Sequence, residues 1–172
     1  ACGRFIAYLD SDDYWKKEKL ERQITFMTEN RFGACMTSYE TVNEDGSFRN
    51  IVHIDERLDY KKFLKKPPTC SHTIMFDTEL VDKKALVMPD IRKRQDAATW
   101  LQVIKLYGCL HGFDEVLAAN RKRSDSLSAN KVSAVKGTWF LYTEIEGLSK
   151  PYAGYCLFWQ MFHAVLKRIG KR

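Results

Sequence analysis

No apolar run in these 172 residues approaches the ~20 that a membrane-spanning helix needs, so a spanning segment of that kind is excluded. The five cysteines (Cys2, Cys35, Cys70, Cys109, Cys156) stand singly and form no C-x-x-C pair. That argues against a disulfide framework or a cysteine-built zinc site, and for reduced core thiols in a cytosolic protein. The four histidines, His53, His72, His111 and His163, share no metal-ligand spacing, and His72 is read as a satisfied structural side chain. There is no internal repeat and no low-complexity stretch. The opening Ala1-Cys2-Gly3-Arg4 neither begins with Met nor reads as a signal peptide, so a piece of a longer reading frame is expected. What is present is a globular composition, 45% apolar and 29% charged, at a length that predicts one domain.

The net charge of +6 is unevenly placed. From Arg121 onward ten Lys and Arg face three Asp and Glu, which leaves the preceding residues near neutral. A basic end suits an anionic partner (phosphate groups, a membrane surface or nucleic acid), and equally a solvated tail.

Phe5–Leu9 is a short apolar run that stops at Asp10-Ser11-Asp12-Asp13, the pattern of a buried strand with an acidic loop at its carboxyl end. Glu18–Glu29 places Leu20, Ile24 and Met27 on one helical face. Gly33–Tyr39 reads as a strand, and Glu44-Asp45-Gly46-Ser47 as the turn to another over Arg49–Ile54. A short helix is predicted around Leu58–Leu64, stopped by Pro67-Pro68, and a strand over Thr73–Phe76. Trp100, Leu101 and Ile104 predict a helix from Asp96 to Gly108, and Val116–Ala119 a strand. Lys122–Lys131 reads as a polar loop, followed by helices over Val132–Ile145 and Tyr152–Arg168. Strands interleaved with helices make this an α/β protein with mixed pairing.

Three constellations carry chemistry. In open α/β sheets ligands bind beyond the carboxyl ends of the strands, where Asp10-Ser11-Asp12-Asp13 falls. Carboxylates one residue apart there suit Mg²⁺ or Mn²⁺, which fills its remaining positions with diphosphate oxygens and water. A helix cap at Asp12 or Asp13 and a turn closed by Asp10 explain the same residues without a ligand. Arg92-Lys93-Arg94-Gln95-Asp96 opens the helix of Trp100; Asp96 is either a helix-end carboxylate or, on a pocket rim, a general base. Arg121-Lys122-Arg123-Ser124-Asp125-Ser126-Leu127-Ser128 is a basic, serine-rich loop that would serve a leaving diphosphate if it stood beside one.

Gly3–Asp13 with Trp15, Glu18, Lys19, Leu20 and Gln23 resembles the D-x-D region of bacterial family 2 glycosyltransferases. Met88-Pro89-Asp90-Ile91-Arg92-Lys93-Arg94-Gln95-Asp96 with Trp100-Leu101 is similar to their acceptor-side motif, and Arg121 with Ser126-Leu127-Ser128 and Lys131 to their closing loop. The motifs stand in the family's order. The resemblance implies a GT-A fold, a mixed sheet between helices, with residues 1–150 forming the C-terminal part of the catalytic domain. It implies a nucleoside-diphosphate-sugar donor, expected to be a UDP-sugar, and Mg²⁺ or Mn²⁺. Asp10 would approach the donor's ribose, Asp12 would bind the metal, and Arg121, Ser126 and Ser128 would steady the diphosphate. Asp96 would be the general base of an inverting displacement onto a glycan or lipid-linked acceptor in cell-surface polysaccharide synthesis. Two departures accompany it: the family's first strands and Pro-Thr/Ser-Tyr-Asn-like loop are lacking, and Asn120 stands where an aromatic often precedes the loop arginine.

Residues 151–172 predict a helix rich in large apolar side chains with a basic end, read either as a core helix or as an interfacial segment on anionic lipid. A cytoplasmic protein, peripheral on the inner face of the membrane, is the matching expectation. Two other classes compete. One is a non-catalytic remnant of such an enzyme. The other is a basic nucleic-acid-binding module, which the acidic loop disfavours because it repels phosphate; no nucleic-acid partner is expected.

Overall fold

The computed structural model describes residues 2–68, 70–122 and 131–169, with the side chains of 131 and 166–169 left aside. Its frame is a mixed seven-stranded sheet in the order β1-β6-β3-β7-β2, with β4 beside β3 and β5 beside β7. The strands are β1 (Phe5–Ala7), β2 (Tyr14–Trp15), β3 (Ala34–Val42), β4 (Phe48–Val52), β5 (Arg57–Leu58), β6 (Ile74–Asp77) and β7 (Leu110–Arg121). The β3–β7 pair is parallel, from Cys35 opposite His111 to Val42 opposite Arg121, and all other pairs are antiparallel. The β3 strand has neighbours on both edges, which is why it is buried along nearly its whole length.

Alternation along the strands sends successive side chains to opposite faces. Ala34, Met36, Ile74 and Phe76 enter the main core with Trp100, Leu101 and Ile104 of α3 (Gln95–Tyr107). Cys35 and Met75 face the other way, onto Met27 of α1 (Lys19–Asn30). Helix α2 (Tyr60–Lys65) and α5 (Lys150–Ile169) close the main core at one end through Phe63, Leu64, Ala153 and Cys156. Helix α4 (Lys131–Phe140) widens into a π-helical turn at Leu141–Ile145. All five cysteines are free, and all but Cys2 are buried.

Among the described residues the expected elements are present, with an unpredicted two-residue strand at Tyr14–Trp15 and three further differences; the polar loop expected over 122–131 lies mostly outside the described residues. The predicted helix at Leu58 starts at Tyr60, where Asp59 caps it by accepting the Lys62 N–H at 2.8 Å, and Leu58 belongs to β5. The predicted four-residue strand at Val116 is the end of a twelve-residue one. Its earlier part is masked in the sequence by Asp114 and Glu115, which pair with His53 at 2.7 Å and Arg22 at 2.5 Å. Third, α1 does not bury Leu20, which is 46% exposed; it buries Lys19, Gln23 and Met27.

That last difference has a physical cause. The ends of β3 and β6 leave backbone carbonyls beneath α1, and buried acceptors need donors. Gln23 Nε2 donates to Cys35 O and Thr73 O, each at 3.0 Å. Lys19 Nζ donates to Gln23 Oε1 and to Thr73 O at 3.4 Å, and lies 5.1 Å from the centre of the Trp15 ring. Burial without a carboxylate lowers the Lys19 ammonium to about 8. The sign follows: below that value both folded and unfolded chains carry the charge, and the folded one bears its desolvation. Between pH 8 and the ordinary 10.5 the folded chain is neutral while the unfolded chain is charged, so stability rises with pH across that window. We expect a gain on the order of 3 kcal/mol, at about 1.4 kcal/mol for each tenfold difference in proton affinity. Urea unfolding of the wild type and Lys19→Met from pH 7.5 to 10.5 checks it: parallel profiles would exclude a desolvated ammonium.

Candidate functional site

The acidic loop is held between two strands. After β1 the chain turns at Asp10–Asp13, closed by the Asp13 N–H donating to Asp10 O at 3.2 Å, and Tyr14–Trp15 then pairs with Ala118–Ala119 of β7. This sets the loop against the last two residues of β7. Asn120 Nδ2 donates to both oxygens of Asp13, at 3.1 and 3.2 Å, and the Arg121 N–H donates to Oδ1 at 2.9 Å. His72 Nδ1 stands 2.7 Å from Asp13 Oδ2, and both side chains are almost fully buried. Burial pushes the Asp13 carboxyl up, but His72, the Arg121 N–H and the Asn120 amide outweigh it and hold the group below the ordinary carboxylate value.

His72 belongs to a one-turn 3-10 helix, Ser71–Thr73, that leads into β6. Its carbonyl accepts the Trp15 indole N–H at 2.7 Å, and its ring meets Tyr39 edge-on at 5.6 Å. The contact with Asp13 has the distance of a hydrogen bond without its alignment, and Nε2 has no partner among the described residues. One residue earlier, Ser71 Oγ donates to Asp96 Oδ2 at 3.3 Å in the first turn of α3. One short turn therefore touches both the acidic loop and the candidate base.

Asp10 lies at the centre of the charge. Burial raises its carboxyl above the ordinary value, and Asp13, Asp12 and Asp96 raise it further while His72 opposes them. Three other carboxylates thus act on Asp10 at a single end of the sheet. Ligand atoms of Asp10, Asp13 and His72 lie within 4.8 Å of each other, a set that a hard cation fits and whose crowding it would relieve.

Of the residues singled out in the sequence, Asp10, Asp12, Asp96 and Arg121 are described. Asp12 is half-buried on the same turn but outside the close group of three, Asp96 faces the group through Ser71, and Arg121 ends β7 with its side chain exposed. Ser126 and Ser128 lie outside the described residues. Sequence reasoning missed Asp13, His72 and Asn120. Asp13 was in plain sight within the motif, and Asn120 was marked only as a departure. His72 carries no spacing signal, because the fold brings it to Asp13 from 59 positions away.

A family model described as glycosyl transferase family 2 matches residues 1–85. The putative teichuronic acid biosynthesis glycosyltransferase TuaG of Bacillus subtilis (strain 168) is 41% identical over 170 residues, covering 98% of this chain and 67% of that protein. The chain belongs to glycosyl transferase family 2. The Escherichia coli UDP-Glc:alpha-D-GlcNAc-diphosphoundecaprenol beta-1,3-glucosyltransferase WfgD is 32% identical over 142 residues, 81% of this chain and 54% of that one. Residues 1–349 of S. aureus TarS in complex with UDP-GlcNAc superpose with a TM-score of 0.59 at 17% identity, over 94% of this chain and 48% of that one. The fold is therefore GT-A, and the chain spans about half to two thirds of the length of these relatives.

The clasp on Asp13 generates a stability prediction. Asn120→Ala strips a donor from a buried carboxylate and should cost about 1–3 kcal/mol, and Asp13→Ala should largely absorb that cost in a double-mutant cycle. Because the Asp13 carboxyl is lowered, its contribution is present above the ordinary value of 3.8 and is lost as pH falls through the folded value. Denaturant unfolding of the four proteins at pH 7 and pH 3 reads both effects; additive costs at pH 7 would dissolve the clasp.

Proposed function

We propose that this chain carries the catalytic end of an inverting, cation-dependent glycosyltransferase that moves a sugar from a nucleoside diphosphate, expected to be UDP, onto a hydroxyl of a glycan or lipid-linked acceptor during cell-surface polysaccharide synthesis. The observation that carries the reading is the convergence of Asp10, Asp12, Asp13 and Asp96 at one end of the sheet, with Asp96 held by Ser71 apart from the close group. Membership of the family and the glycosyltransferase activities for which TuaG and WfgD are named support the reaction class.

The residues divide the work. Asp12 would hold the cation, next to the close group of Asp10, Asp13 and His72, whose ligand atoms lie within 4.8 Å of one another. A bound Mg²⁺ or Mn²⁺ would neutralise the charge that develops on the nucleoside diphosphate as it leaves. Asp10 would approach the donor's ribose, and Arg121, with Ser126 and Ser128, would steady the diphosphate. Asp96 takes the proton from the acceptor hydroxyl as that oxygen attacks the anomeric carbon from the face opposite the leaving group. The Ser71 hydroxyl holds the carboxylate in place by donating to Asp96 Oδ2. No protein nucleophile enters this scheme.

In the full-length protein, Asp96→Asn should lower kcat by about 10²–10⁴-fold while leaving cation-dependent binding of UDP-sugar intact. Asp12→Asn should instead weaken that binding. Calorimetric titration and transfer assays on the two variants separate the roles, and near-normal turnover by Asp96→Asn would remove it as the base.

A peripheral place on the cytoplasmic face of the membrane is part of the same proposal. No helix among the described residues is long and apolar enough to cross a membrane. Helix α5 buries Ala153 and Cys156, while Tyr155, Phe158, Met161, Phe162 and Val165 are exposed along it, on the basic half of the chain. Aromatic side chains beside cations suit an anionic bilayer surface. Flotation should recover the protein with anionic liposomes and lose Phe158→Ser/Phe162→Ser; equal recovery of both would exclude α5 as the contact.

A further inference from the structure

A cavity of about 640 Å³ opens between β4, the prolines that follow α2, and α5. Its wall is largely apolar, with Ile51, Val52, Ile54, Leu58 and Pro67 contributing hydrocarbon. Its ionisable groups are mostly basic: Lys66, Arg94 and two histidines, against one acid, Asp55. Asp55 is already neutralised, by Lys66 at 2.9 Å and Lys62 at 3.5 Å.

Arg94 differs from the other cations. Among the described residues its guanidinium makes neither a hydrogen bond nor an ion pair, although it is half-buried. Its backbone is left-handed, at φ 68° and ψ 23°, a conformation that a non-glycine residue adopts against strain. The other non-glycine residue with positive φ, Arg31, has an ordinary reason, because it ends α1 as a left-handed cap. Arg94 begins a helix, where no such conformation is required. It also stands where two spaces meet: Arg94, Pro67, Pro68 and Gln160 line both the cavity and a small cleft that contains Asp96. An anion held by Arg94 would therefore sit beside the candidate base.

We propose that Arg94 anchors the diphosphate of a lipid-linked acceptor, with the first isoprene units of the lipid lying along the apolar wall of the cavity. This rests on the transferase reading above and adds to it a residue and a place for the acceptor. Charge complementarity selects an anion, and the hydrocarbon wall next to the cation selects one joined directly to an apolar chain. A glycan bearing carboxylates would satisfy Arg94 but leave Ile51, Val52 and Ile54 against polar surface. Gln160, His163 and Ala164 of α5 form one side of the cavity, so a lipid could enter along the helix whose neighbouring side chains, Phe158, Met161 and Phe162, are exposed.

Farnesyl diphosphate, inorganic pyrophosphate and a glucuronate oligosaccharide are titrated calorimetrically into the chain in EDTA, where no cation draws a diphosphate to the acidic loop. Farnesyl diphosphate should bind more tightly than pyrophosphate, and Arg94→Gln should weaken it at least about tenfold, the loss expected for a charge-assisted hydrogen-bonded pair. Arg94→Lys should keep part of the affinity, since it keeps the charge but not the paired donors. Arg94→Gly relaxes the left-handed backbone, so it should melt no lower than the wild type yet bind as weakly as Arg94→Gln. Equal affinity of the wild type and Arg94→Gln, no advantage of the farnesyl chain over bare pyrophosphate, or an Arg94-dependent preference for the oligosaccharide would each overturn the proposal. UDP-sugar binding in Mn²⁺ is measured alongside on the full-length protein: its absence there with lipid binding intact would count against the transferase reading and leave the anchor standing.

Discussion

The candidate site at this end of the sheet hangs on one buried carboxylate. Asp13 receives the Asn120 amide on both oxygens, the Arg121 backbone N–H and the His72 ring, and so joins three segments far apart in the chain. A buried anion is tolerable only when its lone pairs are used, and here they nearly all are. The consequence is positional. With Asp13 committed to holding the loop, Asp10 on the same turn is left exposed among like charges that His72 opposes. The upward displacement of the Asp10 carboxyl is the mark of that division of labour: Asp13 is stabilised as an anion, and Asp10 is not.

The same economy governs the other face of the sheet. A helix lying over strand ends must supply donors to carbonyls that water cannot reach, and α1 does so with Gln23 and Lys19. The hydrocarbon of Leu20 faces solvent as a result. Lys19 also reaches the Trp15 ring, and the Trp15 indole donates to His72 O. The buried polar layer beneath α1 is thus continuous with the functional loop, and the turn Ser71–Thr73 is fixed from both sides.

Much of this was legible in the sequence. The interleaving of strands and helices, the acidic loop at a strand end and Asp96 at the start of a helix all follow from local pattern, because each lies within a few residues of the signal that announces it. What escaped was whatever depends on distant partners. Lys19 and Gln23 look like a solvated face until Thr73 O and Cys35 O lie beneath them. The first half of β7 is hidden because Asp114 and Glu115 interrupt its apolar run, and their partners His53 and Arg22 come from other elements. Asn120 looked like a flaw in the motif; an aromatic there has no donor for both Asp13 oxygens, and the amide has. Periodicity reports which face of an element is apolar, and it is silent about which polar group a neighbouring element needs.

The short turn Ser71–Thr73 then takes on a meaning that neither of its contacts has alone. Through His72 it touches the loop expected to hold the donor's diphosphate, and through Ser71 it touches the acid expected to activate the acceptor. A shift of the turn's backbone would move the roots of both side chains, since Ser71 and His72 are covalent neighbours. In-line transfer demands that donor and acceptor be aligned to within a fraction of an ångström, and a common support for both is the most direct way for a fold to meet that demand. On this argument the two ends of the site need no separate machinery to keep their spacing: it is set by the covalent geometry of two neighbouring residues, clamped by the Trp15 indole on one side and β6 on the other.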